Sequence, residues 1–461
     1  MKRILLIITS FLLTTLTLNA CTLMNTSTQK TKPAMTANLD FETITLKNGL
    51  TVNLLLRNTI PTVTMNLKVS AGVLFEKEDE EGLANLTAEL LELGTKDFGA
   101  EELSEEIDFM GAGFGSSADK DETDLGFDVL TKDLDKGLYY FSQIVVHPTF
   151  PQEEIDQKKQ EIIADLGRQN EEPGLIARKA FMKEIYKTHP YSHFSEGTVE
   201  SISKINREAI TAFYKRNYLP NTSHLTVVGS FDREKLLEML NKYFGVWESG
   251  EAVALSKKPE ALVKAGVNII HKDISQANIY FGHLGVERSN PDYFKLVVMN
   301  YILGGGGFAS RMLKDLRDNK GLTYGVYSRF SSPLEQGTFV VSIKTKNKSA
   351  LESLQGIRYH MKKIQEEEVT DQEYTEALAY LTGSFPLRVD TNRKMAGILG
   401  SMSFYDLGSD YLNTYIEKLR AVTKKDIQEV SQKYLKPDLY KIVIVGNEKE
   451  LHAEQILKEF Q

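Results

Sequence analysis

Two blocks of this sequence carry the same succession of signals. Tyr214-Lys-Arg-Asn-Tyr218-Leu-Pro220 runs into Leu225-Thr-Val-Val-Gly229, and Ser431-Gln-Lys-Tyr434-Leu-Lys-Pro437 runs into Ile442-Val-Ile-Val-Gly446. Each block reads as a helix, a turn marked by proline, an apolar strand ending in glycine, and a further helix. A recurrence after about 220 residues is too long for a short-period repeat and points to duplicated α+β domains. A length of 461 residues suits two or three domains. With 41% apolar and 26% charged residues, the composition is that of a soluble globular protein able to bury large cores. The net charge of -8, with Lys and Arg scattered along the chain, argues against nucleic acid or an anionic membrane surface as the main partner.

The pattern along the chain fills in this outline. Thr43 to Leu56 alternates around Asn48-Gly49, a hairpin signal, and Thr62 to Ser70 places Val63, Met65, Leu67 and Val69 on one strand face. Helices are expected over Gly82 to Leu93, Phe98 to Met110 and Leu134 to Val146. Another is expected over Pro151 to Gln169, with Ile155, Ile162, Ile163 and Leu166 as its apolar stripe. A first domain over residues 41–247, a polar linker over 248–264 and a second domain over 265–461 follow from this order.

The N-terminus is expected to stand apart from the fold. Met1-Lys2-Arg3 and the apolar stretch from Ile4 to Leu18 read as a secretory signal over residues 1–20. Leu18-Asn19-Ala20-Cys21 resembles a bacterial lipobox, and Cys21 is the only cysteine of the chain. Cys21 is therefore the expected lipidation site, with an ordinary signal peptide as the alternative. Residues 21–40 would be the lipidated Cys and a flexible tether. Thr22 after the Cys, in place of Asp, favours the outer membrane, facing the periplasm, in a bacterium with two membranes.

From the tether onward, the chain resembles the insulinase/pitrilysin-type metallopeptidases, or inverted zincins. The resemblance is to their two-domain branch, which includes the mitochondrial processing peptidase subunits. It rests on Gly82-Leu-Ala, Gly94-Thr95, His189-Pro-Tyr191, the Tyr214 to Gly229 block, and Gly304 to Tyr324. It implies an α+β fold of two duplicated α/β-sandwich domains, helices on a mostly antiparallel sheet, forming one half of a clamshell. It also implies a homologous partner subunit and an extended peptide substrate between the halves.

The family's catalytic motif is H-x-x-E-H on a helix, where two His bind zinc and the Glu acts as base. Here that frame falls on Asn85-Leu86-Thr87-Ala88-Glu89. Asn85 and Glu89 replace the two His, Ala88 replaces the base, and the distal Glu falls at about Asp165. Two carboxylates and an amide are oxygen donors, which suit zinc poorly. No metal is therefore expected on this chain, and zinc is expected in the partner. Glu89 and Asp165 as a site for another cation or an acid-base pair, or as ordinary helix carboxylates, both remain open.

The second domain keeps what the first has lost. Arg317, Gly321-Leu322 and Tyr324 resemble the family's Arg/Tyr motif, which implies substrate and transition-state binding across the clamshell by Arg317 and Tyr324. Gly304 to Gly307 lacks the G-K-[ST] of a phosphate loop and reads as a loop near the substrate entrance or a helix terminator. Gly113 to Asp124 occupies the family's substrate-binding edge strand; its acidic residues would favour basic peptides or protect an edge. Two function classes follow. One is a non-catalytic subunit completing the site of a partner that carries H-x-x-E-H. The other is an envelope peptide-binding or scaffolding protein that takes part in no hydrolysis.

Overall fold

Asn48-Gly49 turns the chain back on itself at the start of the fold. Gly49 has φ 90°, a left-handed conformation that favours glycine. The Asn48 side-chain amide donates to the carbonyls of Phe244 and Trp247 at 2.8 and 2.9 Å, so the hairpin is tied to the far end of the first domain. The computed structural model describes residues 39–254 and 258–461. The expected signal peptide, Cys21 and the tether up to residue 38 lie outside the described residues, as do residues 255–257 of the linker. No helix among the described residues is long and apolar enough to cross a membrane.

The strands are β1 (Glu42–Thr45), β2 (Thr51–Leu56), β3 (Thr62–Val69), β4 (Gly113–Ala118), β5 (Thr123–Leu130) and β6 (Ser223–Gly229) in the first half. In the second half they are β7 (Gly266–His271), β8 (Gln276–Leu284), β9 (Thr323–Phe330), β10 (Thr338–Lys346) and β11 (Lys441–Gly446). They form a six-stranded sheet in the order β1-β2-β6-β3-β5-β4 and a five-stranded sheet in the order β7-β11-β8-β10-β9. In each sheet one pair is parallel, β2 with β6 and β7 with β11, and the other pairs are antiparallel.

The helices that position the site are α1 (Leu83–Leu90), α2 (Gln152–Gln169), α3 (Pro173–Tyr186), α4 (Arg207–Asn217), α5 (Arg233–Phe244), α6 (Asn392–Phe404), α7 (Lys424–Tyr434) and α8 (Ala453–Phe460). The echo in the sequence is an echo in structure. α4-β6-α5 and α7-β11-α8 are the same unit, and β6 and β11 each lie parallel to one neighbour and antiparallel to the other. The fold is therefore a duplicated pair of α/β sandwiches.

The halves exchange helices, which the boundary at residues 248–264 does not reveal. α3, from the first half, packs on β11 and β8 of the second sheet. α6, from the second half, packs on β3 and β6 of the first. This explains a departure from simple alternation in β3. Val63, Met65, Leu67 and Val69 are fully buried as expected, but Thr64, Asn66 and Lys68 on the opposite face are buried as well, beneath α6. Their donors are met across the strands, Thr64 by Asp128, Asn66 by Asp124 at 2.8 Å and Lys68 by Glu122 at 3.1 Å, while the Asn66 side-chain carbonyl is buried without a partner. Residues 39–461 form one compact unit as a result.

Candidate functional site

α1 is apolar on nearly every side, so it lies sunk between the first sheet and its neighbouring helices. Leu83, Ala84, Leu86, Ala88 and Leu90 are fully buried, and Glu89 alone is half-buried. Gly82 starts the helix with φ 90°, and a Cβ there would stand 2.8 Å from Ile202 and 2.9 Å from Gly197, so the position admits only glycine. A buried carboxylate then caps the helix. Glu76 accepts the N–H groups of Gly82 and Ala84 at 3.0 and 2.9 Å, and its other oxygen lies 3.3 Å from His193 Nδ1. Neither Glu76 nor His193 stood out in the sequence, because they are 117 residues apart.

Burial pushes the Glu76 carboxyl up to about 7, against the opposing pull of His193 and the helix N–H groups. Burial opposes protonation of the His193 imidazole most strongly of any single cause, but its bond to Glu76 and the charges of Glu76 and Glu81 together raise it. A raised carboxyl binds its proton more tightly in the folded than in the unfolded chain, so its contribution is lost as pH rises from about 4.5 to 7. A raised imidazole also loses its contribution as pH climbs above 6.5. Both act in one direction. The thermal midpoint is expected to fall between pH 5 and pH 8, and Glu76→Gln is expected to flatten that slope. A slope unchanged by the substitution would show that other groups set it.

The residues at the H-x-x-E-H frame are joined to one another, but not around a metal. Asn85 Nδ2 donates to Glu89 Oε1 at 2.7 Å, and Asn85 Oδ1 accepts the Ala118 N–H of β4 at 3.3 Å. Ala88 puts a buried methyl where a base would stand, and its carbonyl accepts the Ser116 hydroxyl at 2.8 Å. The second oxygen of Glu89 faces a cation. Lys158 Nζ, on α2, lies 3.7 Å from it and 2.9 Å from Glu161. Glu92, one turn beyond Glu89, is raised by burial, partly offset by Lys158. Asp165 does not join this group. Its carboxylate is bound by Arg168 on the same helix, and its side chain is 58% exposed.

A lysine ammonium thus supplies the positive charge that Glu89 meets. Nothing local in the sequence marks Lys158, because it reaches Glu89 from another helix, α2. Among the described residues, no group of three His, Cys, Asp or Glu side chains is placed to hold a metal ion. The donors do not fit zinc: they are oxygens, one engaged by Asn85 and the other facing Lys158. Full-length protein incubated with zinc and freed of excess by gel filtration should retain far less than one zinc per chain by atomic absorption. Stoichiometric retention would overturn this account of the site.

Arg317 and Tyr324 lie on either side of Gly321 as the chain enters β9, the outer strand of the second sheet. Arg317 sits in a wide turn over Lys314–Asn319, which is pinned by the buried Leu316 and by the N–H of Leu322 donating to the Leu316 carbonyl at 2.8 Å. Its guanidinium lies 4.7 Å from the Phe308 ring centre, and Phe308 is itself largely exposed. Tyr324 is 87% exposed. Between Ile343 and Thr345 the register of β10 against β9 shifts by one residue, so Tyr324 and Gly325 together oppose Lys344. Such a bulge re-aims side chains, here at the start of an outer strand.

The flanking residues of the motif do different work. Arg311 binds Glu373 through two nitrogens, at 2.6 and 2.8 Å, and anchors the segment. The glycine run ends the preceding helix in a wide turn over Tyr301–Gly305, and Gly304 passes so close to β9 that a Cβ would stand 2.6 Å from Ser328 Oγ. The helix-terminator reading describes it, with a packing requirement added.

The chain matches two family models: "Insulinase (Peptidase family M16)" over residues 52–198 and "Peptidase M16 inactive domain" over residues 204–381. It belongs to the insulinase family of peptidases. A Rickettsia bellii protein described as an uncharacterized zinc protease is 27% identical over 306 residues, covering 66% of this chain and 74% of that protein. A Helicobacter pylori protein described as the non-peptidase homolog YmxG is 23% identical over 393 residues, covering 85% and 90%. Among solved structures, a peptidase M16 inactive domain from Pseudomonas fluorescens superposes with a TM-score of 0.84 at 28% identity, covering 89% of this chain and 98% of that one. Within this family the chain is an inactive peptidase homologue, since base and metal ligands are replaced on α1.

Proposed function

We propose that this protein is the non-catalytic subunit of a two-subunit zinc peptidase of the bacterial cell envelope, in which Arg317 and Tyr324 serve a partner that carries H-x-x-E-H. One observation carries the reading. Tyr324 stands almost wholly in solvent on a strand bulge, where it contributes little to this chain's own core. Arg317 beside it offers a planar donor fork suited to a peptide carbonyl or to developing negative charge. The Tyr324 hydroxyl is a second donor of the same kind. Zinc and base belong to the partner, and the substrate is an extended peptide held between the two subunits. The lipid on Cys21 would hold the complex at the outer membrane, facing the periplasm.

A second reading keeps the peptide and drops the hydrolysis, making the protein an envelope peptide-binding or scaffolding protein. It is favoured by β4, the outermost strand of the first sheet, where a Cβ added at Gly113 or Gly115 would meet nothing within 4 Å. An added strand fits against such an edge. Mixing the purified protein with an H-x-x-E-H homologue from the same genome and assaying cleavage of an unstructured peptide separates the two. Activity confined to the mixture supports the subunit reading. A partner equally active alone rejects it.

A further inference from the structure

A cavity of about 740 Å³ lies between the two halves, and its lining includes neither the residues of the H-x-x-E-H frame nor Arg317 and Tyr324. Its floor is the open face of the second sheet. Tyr280, Ser342 and Tyr327 stand side by side there across β8, β10 and β9, and Val340 with Arg329 forms the next rung. One wall is the tip of the β4–β5 hairpin, residues 119–122, and another is α3 with Arg178.

The acidic residues of the hairpin tip are mostly committed to the fold. Asp121 accepts the hydroxyls of Tyr191 and Tyr405 and the N–H of Leu334, the last two at 2.9 and 2.8 Å. Glu122 binds Lys68 at 3.1 Å and accepts the Tyr405 hydroxyl at 3.2 Å. Asp119 accepts the backbone N–H of Lys120 at 2.8 Å. The basic residues are not matched in this way. The Lys120 ammonium rests 4.9 Å from the ring centres of Tyr186 and Tyr191, and the Arg178 guanidinium 5.3 Å from that of Phe194. Among the described residues, neither these two nor Arg329 has a carboxylate within ion-pair distance. Burial depresses the Lys120 amine to about 8, against the pull of Asp119 and Asp121, with Arg178 and Arg329 adding smaller repulsions.

We propose that this cleft is a carboxylate-binding subsite, in which Lys120, Arg178 and Arg329 receive an acidic side chain or the free C-terminal carboxylate of an extended peptide. The proposal rests on the peptide-binding reading above and gives it a substrate class. Residues next to the carboxylate would lie on Tyr280 and Tyr327, and the cavity has the size of a small-ligand site. An arriving carboxylate supplies the ion-pair partner that Lys120, Arg178 and Arg329 lack and favours the charged form of Lys120. The charge of Gly113 to Asp124 in the sequence therefore points the wrong way. Its Asp121, Glu122 and Asp124 are held by Lys68, Tyr191, Tyr405 and Asn66, while Lys120, Arg178 and Arg329 at the cleft have no carboxylate within ion-pair distance.

The test is fluorescence anisotropy on the full chain with three labelled unstructured peptides of equal length. One is neutral with an amidated C-terminus, one ends in a free carboxylate, and one carries internal Glu residues. Inorganic phosphate serves as a competitor. At least one acidic peptide is expected to bind about tenfold or more tightly than the neutral one, the scale of hydrogen bonds to charged groups. That advantage should vanish in Arg178→Ala and Arg329→Ala, both at exposed positions, and should shrink as pH passes about 8. Equal binding of neutral and acidic peptides, or an advantage that survives both substitutions, overturns the subsite and leaves peptide binding standing. No binding of any peptide overturns both. Binding of phosphate alone, lost in the same variants, overturns the assignment to peptides.

Discussion

Tyr324→Phe is expected to lower the peptidase activity of the mixed subunits by about 10²- to 10³-fold, the usual effect of removing one donor to a developing oxyanion. Arg317→Ala should cost a comparable factor, divided between KM and kcat according to whether it holds the ground-state carbonyl or the transition state. Neither change should alter the melting temperature appreciably. Tyr324 is 87% exposed and its ring belongs to no core, and Arg317 meets only the exposed ring of Phe308. This separation of activity from stability is the discriminating result. A loss of activity that tracks a loss of folding would assign both residues to the fold. Unchanged activity in both variants would remove them from the site.

Phe181→Ala is expected to destabilise the whole of residues 39–461 by about 3–5 kcal/mol, the range for truncating a fully buried aromatic. Phe181 is on α3, in the first half of the chain, yet it belongs to one buried cluster with Val443 and Val445 of β11 and with Leu74 and Phe75. Its ring also lies against Gly282 of β8, where a Cβ would come within 3.0 Å of it. The cavity would open where the halves are joined, so chemical denaturation should show one transition displaced as a unit. Two separated transitions, with only one of them moved, would mean that the halves fold independently despite the exchanged helices.

These two predictions differ in how far the sequence alone supports them. Arg317 and Tyr324 were legible because they are local: seven residues of chain, a glycine between them and a glycine run before them. The exposure of Tyr324 was not, because it depends on a register shift against β10. The frame of α1 was legible for the same local reason. Gly82 must be glycine to turn left-handed against Gly197, and the apolar run that follows must be buried. The substitutions at Asn85, Ala88 and Glu89 could be read directly from the same segment. What Glu89 meets in place of a metal could not, since Lys158 comes from a helix that begins more than sixty residues later.

The hairpin tip shows the limit most clearly. A run containing Asp119, Asp121, Glu122 and Asp124 has an obvious sign as a sequence. Its sign as a surface depends on partners supplied by β3, by Tyr405 just after α6 and by the His189-Pro-Tyr191 turn. Burial makes those partners obligatory, because an unpaired carboxylate inside the protein costs several kcal/mol, roughly the scale set by desolvation. The cations left over define the cleft.

By itself, then, the sequence determined the duplication, the opening hairpin, the strand and helices that frame the degenerate site, the family frame and the loss of its base and ligands. These follow from hydrophobic period, turn residues and motif positions, which act over a few turns of chain. The tertiary structure decided which sheet each helix covers, which charges are neutralised and which face the cleft. α3 and α6 could each have covered the sheet of its own half on amphipathic pattern alone. Burial against a sheet is non-directional, so pattern fixes that a face will be covered and only packing fixes by what.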